Sequence, residues 1–171
     1  YQQFLDYMNA KGGRILEIEF YQEQFGERFE SNGTFFYSGK RYYTFDALDQ
    51  RITFNNGEIT TINKVGKQVV YDQAIPGEVT IFDILTGTNE FLQIGEVLLE
   101  KNGFRIPFTL LDWEMNGTIR TIPDSGKPKE IILKTSDDSE IWIKIVSVES
   151  VKGLDVATID LTEYEIIDLR E

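Results

Sequence analysis

Residues 33–45 read Gly-Thr-Phe-Phe-Tyr-Ser-Gly-Lys-Arg-Tyr-Tyr-Thr-Phe, two aromatic runs separated by the pair Ser38-Gly39. Aromatic residues favour β-strands, and a serine-glycine pair is typical of a turn. Residues 34–37 and 41–45 are therefore predicted to form neighbouring strands. Because side chains alternate between the two faces of a strand, one face of this pair should carry four aromatic residues: Phe35, Tyr37, Tyr43 and Phe45.

The sequence on both sides of this pair continues in short strands. Upstream, Leu16, Ile18 and Phe20 alternate with glutamates, which predicts a half-buried strand. Downstream, three more short runs predict strands: residues 51–54, 59–63 and 68–71. The step Asn56-Gly57 favours a two-residue hairpin turn with positive φ. This order predicts an antiparallel meander.

The beginning of the chain predicts a helix. Tyr1, Phe4, Leu5 and Met8 recur at i, i+3, i+4 and i+7, which is the spacing of one helix face. The double glycine Gly12-Gly13 then ends the helix, since glycine readily adopts the left-handed conformation of a helix C-cap.

The middle of the chain predicts two further helices. Thr80 and Asp83 resemble a capping pair at a helix start, and Gly87 lies where a C-terminal cap belongs. The apolar stripe of this helix consists of Ile81, Ile84 and Leu85. The next helix is predicted over residues 90–101, with Phe91, Ile94 and Leu98 on one side and Gly103 at its end.

The last third returns to strands. Residues 106–114 and 118–122 are predicted strands joined by a turn at Asn116-Gly117. Residues 129–134 and 140–148 predict a hairpin around the polar loop 135–139, with Ile141, Ile143 and Ile145 on one face, and residues 165–169 predict a final strand near a sheet edge. No repeat or linker interrupts the chain, so residues 1–171 are predicted to form a single domain, mainly β with a few helices (α+β).

Many aromatic residues fall in neighbouring strands, and few helical residues are available to cover them. The sheet therefore either rolls up and fills its own interior or leaves an apolar cavity. Periodicity alone leaves both alternatives open.

Composition excludes several function classes. The 17 basic and 29 acidic residues give a net charge of -12, which opposes nucleic-acid binding. The chain contains neither histidine nor cysteine, so it offers no thiolate nucleophile, no Ser-His-Asp triad and no zinc site of the usual kind. It also lacks a Gly-x-x-x-x-Gly-Lys phosphate loop. We therefore expect a protein that is not an enzyme and needs neither a cofactor nor a metal.

Two weaker enzymatic or metal-binding alternatives remain. A pair of carboxylates can hydrolyse glycosides without histidine. The run Asp137-Asp138-Ser139-Glu140 offers oxygen ligands for calcium, but it lacks the glycine and spacing of an EF-hand loop. A solvated hairpin tip is the favoured interpretation of this run.

Several short motifs, in order along the chain, resemble the periplasmic outer-membrane lipoprotein carrier family, LolA. Phe20-Tyr21-Gln22 is similar to the Phe-x-Gln that ends that family's first strand. Residues 33–37 resemble its glycine-led strand of large residues, and Asn56-Gly57 lies where the family has Asp-Gly. The ending Glu165-Ile166-Ile167-Asp168-Leu169-Arg170 is similar to the family's Val-x-Val-x-Asp-Leu-Arg.

The resemblance implies a half-open antiparallel β-barrel with a helical lid over a hydrophobic cavity. It also implies a periplasmic carrier that takes acylated lipoproteins, or other lipids, from an inner-membrane ABC transporter to an outer-membrane receptor. We expect a monomer. The alternative on the same fold is a lipid-sensing or lipid-binding regulatory domain that does not hand its ligand on.

On this interpretation the wall of the acyl-chain cavity has nine members: Phe35, Tyr37, Tyr43, Phe45, Ile52, Phe54, Ile81, Ile84 and Leu85. Ordinary core packing is the competing explanation for the aromatic residues. Residues 81–85, including Phe82, fall where the family has its lid helix, and a permanently docked helix would have the same pattern. The family often carries an arginine that ties the lid to the barrel, and here Arg41 or Lys40 would take that role.

Overall fold

The structure, a computed structural model, describes residues 1–24, 26–75, 81–86, 92–111, 115–134 and 139–170. Within these residues the chain forms a 13-stranded sheet and two short helices. The helices are α1 (Gln2–Met8) and α2 (Ile81–Thr86). The strands are β1 (Gly13–Gln24), β2 (Glu27–Tyr37), β3 (Tyr42–Ala47), β4 (Gln50–Asn55), β5 (Glu58–Asn63), β6 (Gln68–Gln73), β7 (Leu92–Ile94), β8 (Leu98–Glu100), β9 (Gly103–Leu110), β10 (Met115–Thr121), β11 (Pro128–Lys134), β12 (Glu140–Val151) and β13 (Glu165–Asp168).

The strands follow the order β13-β6-β5-β4-β3-β2-β1-β12-β11-β10-β9-β7, and β8 also pairs with β9. Two meanders are thus joined by the long antiparallel pair β1–β12. The predicted meander of the first half is confirmed, and so is the hairpin turn at Asn56 and Gly57, whose φ angles are 52° and 94°. In the part of the chain that is described, the ends of the sheet, β13 and β7, do not pair with each other.

One pair departs from the predicted antiparallel sheet. The final strand β13 lies at the sheet edge as expected, but it runs parallel to β6. The connection from β12 to β13 must be long, because these two strands run in the same direction and lie far apart in the sheet. Residues 152–164 provide that connection, and we call them the strap.

The predicted helices are confirmed at α1 and α2, while Thr80 and Gly87 lie outside the described residues. The helix predicted over residues 90–101 is wrong. Its described part forms β7 and β8, which pair in turn with the same edge of β9. Short apolar runs satisfy both helical and strand spacing, and here the hydrogen bonds offered by β9 decide the outcome.

The turn predicted at Asn116-Gly117 is also wrong, because both residues lie inside β10. Gly117 pairs with Phe108 of β9, and a Cβ at this position would collide with the Phe108 ring and the Ile132 carbonyl oxygen. The glycine therefore permits close packing across three strands and does not form a turn.

The two faces of the sheet are covered differently. The inner face carries an apolar core in which Phe4 and Met8 of α1, and Ile84 and Leu85 of α2, join buried side chains of the strands. The outer face carries the strap, since Leu154 packs against Gly13 and the Ala157 carbonyl oxygen accepts a hydrogen bond from Arg51. None of the described helices is long and apolar enough to cross a bilayer.

Candidate functional site

Four aromatic side chains form a continuous layer on the inner face of β2 and β3. Phe35 pairs with Phe45, and Tyr37 pairs with Tyr43, so the four side chains point to the same side. Their exposed fractions are 0%, 5%, 1% and 5% in that order. The rings of Phe35 and Tyr43 lie 5.5 Å apart between centroids. The arrangement expected from alternation is thus present, as a layer that is closed to solvent. We call these residues the aromatic layer.

Helix α2 covers this layer through Phe82. The Phe82 ring is stacked on Phe35, with 5.2 Å between centroids and 5° between planes. It also lies 5.4 Å from the Tyr43 ring and 5.5 Å from the Phe45 ring. Phe82 itself stays half-exposed. The sequence analysis assigns Phe82 to the lid helix but not to the cavity wall. In the structure Phe82 contacts three rings of the aromatic layer.

The other predicted wall residues extend the layer in two directions. On β4, Phe54 stacks on Tyr43 with 5.1 Å between centroids, and Ile52 pairs with Phe45; both are half-buried. On α2, Ile84 and Leu85 are fully buried in the same core. The side chain of Ile81 lies outside the described residues.

Helix α1 closes the layer beside Tyr37. The Tyr37 hydroxyl donates a 2.7 Å hydrogen bond to Asn9 Oδ1, just after the helix. Burial raises the pKa of Tyr37 to about 12. The layer is therefore capped by a hydrogen bond on one side and by an aromatic stack on the other.

Arg14 is a buried charge on the inner face that the sequence interpretation overlooked. It is 5% exposed, and its Nε and Nη1 donate 3.0 Å hydrogen bonds to the carbonyl oxygens of Tyr7 and Gly13. Its guanidinium carbon lies 4.9 Å from the centre of the Tyr7 ring. Strand alternation indicates this position, because Arg14, Leu16 and Ile18 are each two residues apart and therefore share one face of the strand. Arg14 fastens α1 to the first strand.

The two candidates for lid control lie in the turn between β2 and β3. Lys40 and Arg41 are both exposed, and the Arg41 carbonyl accepts a 2.8 Å hydrogen bond from the Asn56 amide. Over the described ranges neither side chain forms a hydrogen bond or ion pair with α2. Control of α2 by either residue stays a prediction.

The acidic residues proposed for calcium are only partly described. Asp137 and Asp138 lie outside the described residues. Among the residues that are described, no group of three or more acidic side chains is arranged to hold a metal ion.

Comparison with known proteins rests on the fold. No protein-family model and no curated protein matches the sequence. An uncharacterized conserved protein from Thermus thermophilus superimposes with a TM-score of 0.64 at 8% identity, covering 98% of both chains. A LolA superfamily protein from Nitrosomonas europaea superimposes with a TM-score of 0.52 at 7% identity, covering 90% of this chain and 92% of the other.

The chain has a LolA-like fold. The same fold is found in the Pseudomonas aeruginosa MucA/MucB complex, with a TM-score of 0.52, 12% identity, and coverage of 90% of this chain and 56% of the other. The resemblance stated from the sequence motifs is thus confirmed at the level of the LolA-like fold.

Proposed function

We propose that the protein is a non-enzymatic periplasmic carrier that binds lipid acyl chains between the aromatic layer and α2. The observation that carries the proposal is the way in which α2 covers the aromatic layer. The half-exposed Phe82 of a six-residue helix covers three of the four rings of the layer, those of Phe35, Tyr43 and Phe45. Helix α2 then acts as a lid, and the sheet acts as the half-open barrel of such carriers.

The energetics favour exchange of α2 for an acyl chain. A helix of this length has no stability of its own and depends on the contacts of its apolar residues. Burial of Phe82, Ile84 and Leu85 contributes about 1.5–3 kcal/mol for each side chain. An acyl chain of about 14 methylenes gains on the order of 11 kcal/mol on leaving water, at about 0.8 kcal/mol per CH₂. Such a ligand can displace the three side chains and still bind.

The proposed cargo is an acylated lipoprotein or another lipid. By resemblance to the LolA carriers, the donor would be an inner-membrane ABC transporter and the acceptor an outer-membrane receptor. The LolA-like fold and the closed apolar interior support this assignment. The aromatic layer also suits the ligand, because its four rings offer a continuous apolar surface.

Binding of an apolar fluorescent probe, with displacement by a synthetic triacylated lipopeptide, tests the proposal. The wild-type protein should bind the probe and release it to the lipopeptide. Phe82→Ala should raise the affinity for the probe about tenfold, because the side chain that competes for the layer is removed. Phe29→Ala provides the matched control, since Phe29 is 51% exposed near the beginning of β2.

Two results would contradict the carrier. The first is a folded wild-type protein and a folded Phe82→Ala variant that bind neither probe nor lipopeptide. The second is probe binding that Phe82→Ala leaves unchanged, which would place the probe elsewhere on the surface.

A second candidate function is a lipid-sensing or partner-binding domain on the same fold. The observation in its favour is the MucA/MucB complex, in which a LolA-like fold assembles with another protein. Transfer separates the two candidates. A carrier loaded with lipopeptide should release it to acceptor vesicles that contain an outer-membrane receptor, whereas a sensor should retain its ligand.

A further inference from the structure

The outer face of the sheet carries a pocket that the proposed lipid site does not use. It has a volume of about 360 Å³ and is lined mainly by Tyr21, Arg28, Lys129, Glu130, Trp142 and Lys144. Such a volume lies within the usual range for small-molecule sites, about 300–1,000 Å³. No residue of the strap lines this pocket. The strap contacts Gly13, and the pocket residue Tyr21 lies eight residues further along β1, roughly 26 Å away at about 3.3 Å per residue.

The floor of the pocket consists of two aromatic rings. Tyr21 and Trp142 are directly opposite each other on β1 and β12, with 5.6 Å between centroids and 41° between planes. Trp142 is 36% exposed. Its indole Nε1 donates a 3.2 Å hydrogen bond to Glu130 Oε2. Glu130 is 8% exposed and also pairs with Arg120, so a largely buried carboxylate fixes the orientation of an exposed indole.

The rim of the pocket is basic, although the protein as a whole is acidic. The Arg28 guanidinium carbon lies 5.0 Å from the centre of the Tyr21 ring, and its Nε forms an ion pair with Glu30 at 2.6 Å. Lys144 forms an ion pair with Glu19 at 2.7 Å. Lys129 is exposed and has no ion pair or hydrogen bond within the described residues. Glu130 is the acidic residue of the lining, and its two oxygens are already bound to Arg120 and Trp142. Among the described residues, Lys129 is therefore the lining cation that has no carboxylate partner and can meet an anion.

We propose that this pocket binds an acidic saccharide, in which a pyranose ring lies on Trp142 and a carboxylate or phosphate group meets Lys129. The C–H bonds on one face of a pyranose carry partial positive charge and pack on the negative face of an aromatic ring. A nucleotide fits less well, because its flat base is best held between parallel rings. Here the rings of Tyr21 and Trp142 are tilted and already in contact with each other. This site is independent of the lipid-carrier proposal.

A purely structural role for these side chains gives different expectations. Cross-strand aromatic pairs stabilise sheets without any ligand. In that case Trp142 would contribute to stability, but neither it nor Lys129 would affect the binding of any sugar. The unpartnered Lys129 is the useful discriminator, because its replacement has little reason to disturb the fold.

Isothermal titration calorimetry with an oligosaccharide of glucuronic acid tests the proposal, with a glucose oligosaccharide of equal length as the neutral control. The acidic oligosaccharide should bind saturably, and the neutral one at least about tenfold more weakly, on the scale of a hydrogen bond to a charged group. Lys129→Gln should weaken binding of the acidic oligosaccharide about tenfold and leave the neutral one unchanged. Trp142→Ala should abolish binding of both, while Phe29→Ala should bind like the wild type.

The proposal is overturned if the wild type binds no acidic oligosaccharide, or if Lys129→Gln leaves its affinity unchanged. Equal affinity for the neutral oligosaccharide would remove the role of the basic rim. If adenosine monophosphate binds more tightly than the acidic oligosaccharide, the ligand of this pocket is a nucleotide and the saccharide proposal is wrong. If Trp142→Ala does not fold, the Lys129→Gln comparison still decides, because Lys129 is exposed and its replacement should not disturb folding.

Discussion

Two neighbouring residues of β3, Phe45 and Asp46, face opposite sides of the sheet and meet opposite kinds of cover. On the inner face, Phe45 contacts Phe82 through apolar rings alone. On the outer face, Asp46 accepts hydrogen bonds from Arg51 at 2.7 and 3.0 Å and from Lys64 at 2.7 Å. Arg51 in turn donates a 2.6 Å hydrogen bond to the carbonyl oxygen of Ala157 in the strap.

The two covers differ in how easily they can be exchanged. Apolar contact is non-directional, so another apolar group can take the place of Phe82 on the aromatic layer. The outer cover depends on fixed donors and acceptors, and its removal would leave charges without partners. Burial raises the pKa of Asp46, but the hydrogen bonds from Arg51 and Lys64 outweigh burial and hold the pKa below its ordinary value. We therefore infer that α2 is the exchangeable cover and the strap the permanent one.

The largest expected effect is on the inner face. Phe35→Ala should reduce the free energy of unfolding by about 3–5 kcal/mol, because Phe35 is fully buried and its ring contacts Tyr37, Tyr43 and Phe82. Denaturant unfolding measures the loss, with the exposed Phe29→Ala as the control, for which we expect a change within about 0.5 kcal/mol. A loss below about 1 kcal/mol for Phe35→Ala would mean that the layer is loosely packed.

The next effect concerns the strap. Arg51→Met should cost about 2–3 kcal/mol, somewhat less than the breakage of a fully buried pair, because the side chains of Arg51 and Asp46 are 10% and 24% exposed. It should also increase proteolysis within residues 152–164, since the strap loses its hydrogen bond at Ala157. The triple variant Asp46→Leu/Arg51→Met/Lys64→Met should recover part of the stability, because Lys64 also pairs with Asp46 and no member of this charged cluster then remains without its partner. Equal losses in the single and triple variants would argue against an ionic origin of the effect.

The smallest effect is at the edge of the aromatic layer. At neutral pH, Tyr37→Phe should cost about 1 kcal/mol, because it removes one hydrogen bond to Asn9. In the wild type the pKa of Tyr37 is about 12, above its ordinary value of 10.0. The contribution of this group is therefore complete below pH 10 and is lost as the pH rises towards 12.

Tyr37→Phe lacks that alkaline loss, so the difference in unfolding free energy between wild type and variant should shrink between pH 8 and pH 11.5. Urea unfolding at both pH values measures it. An identical difference at the two values would show that the hydroxyl is ionised as easily in the folded protein as in the unfolded chain.

Much of the first half of the molecule could be predicted from short stretches of sequence. The alternation around Tyr43-Thr44-Phe45 indicated which side chains share a face, and Asn56-Gly57 indicated the hairpin, because both depend on residues only a few positions apart. The spacing in residues 90–101 predicts a helix, but an isolated apolar run satisfies strand spacing equally well, and only pairing with β9 makes its described part a pair of strands. The aromatic layer was therefore predictable, whereas the insertion of Phe82 and the anchoring of α1 by Arg14 were not.

By itself the sequence determined the elements of the meander, the acidic charge, and the absence of histidine and cysteine chemistry. Only the tertiary structure decided what covers each face of the sheet. The parallel pairing of β13 with β6, the path of the strap past Arg51, and the meeting of Tyr21 with Trp142 each join residues about a hundred positions apart. Such contacts depend on the register of the whole sheet, which is set by the summed burial of both faces and leaves no local pattern in the chain.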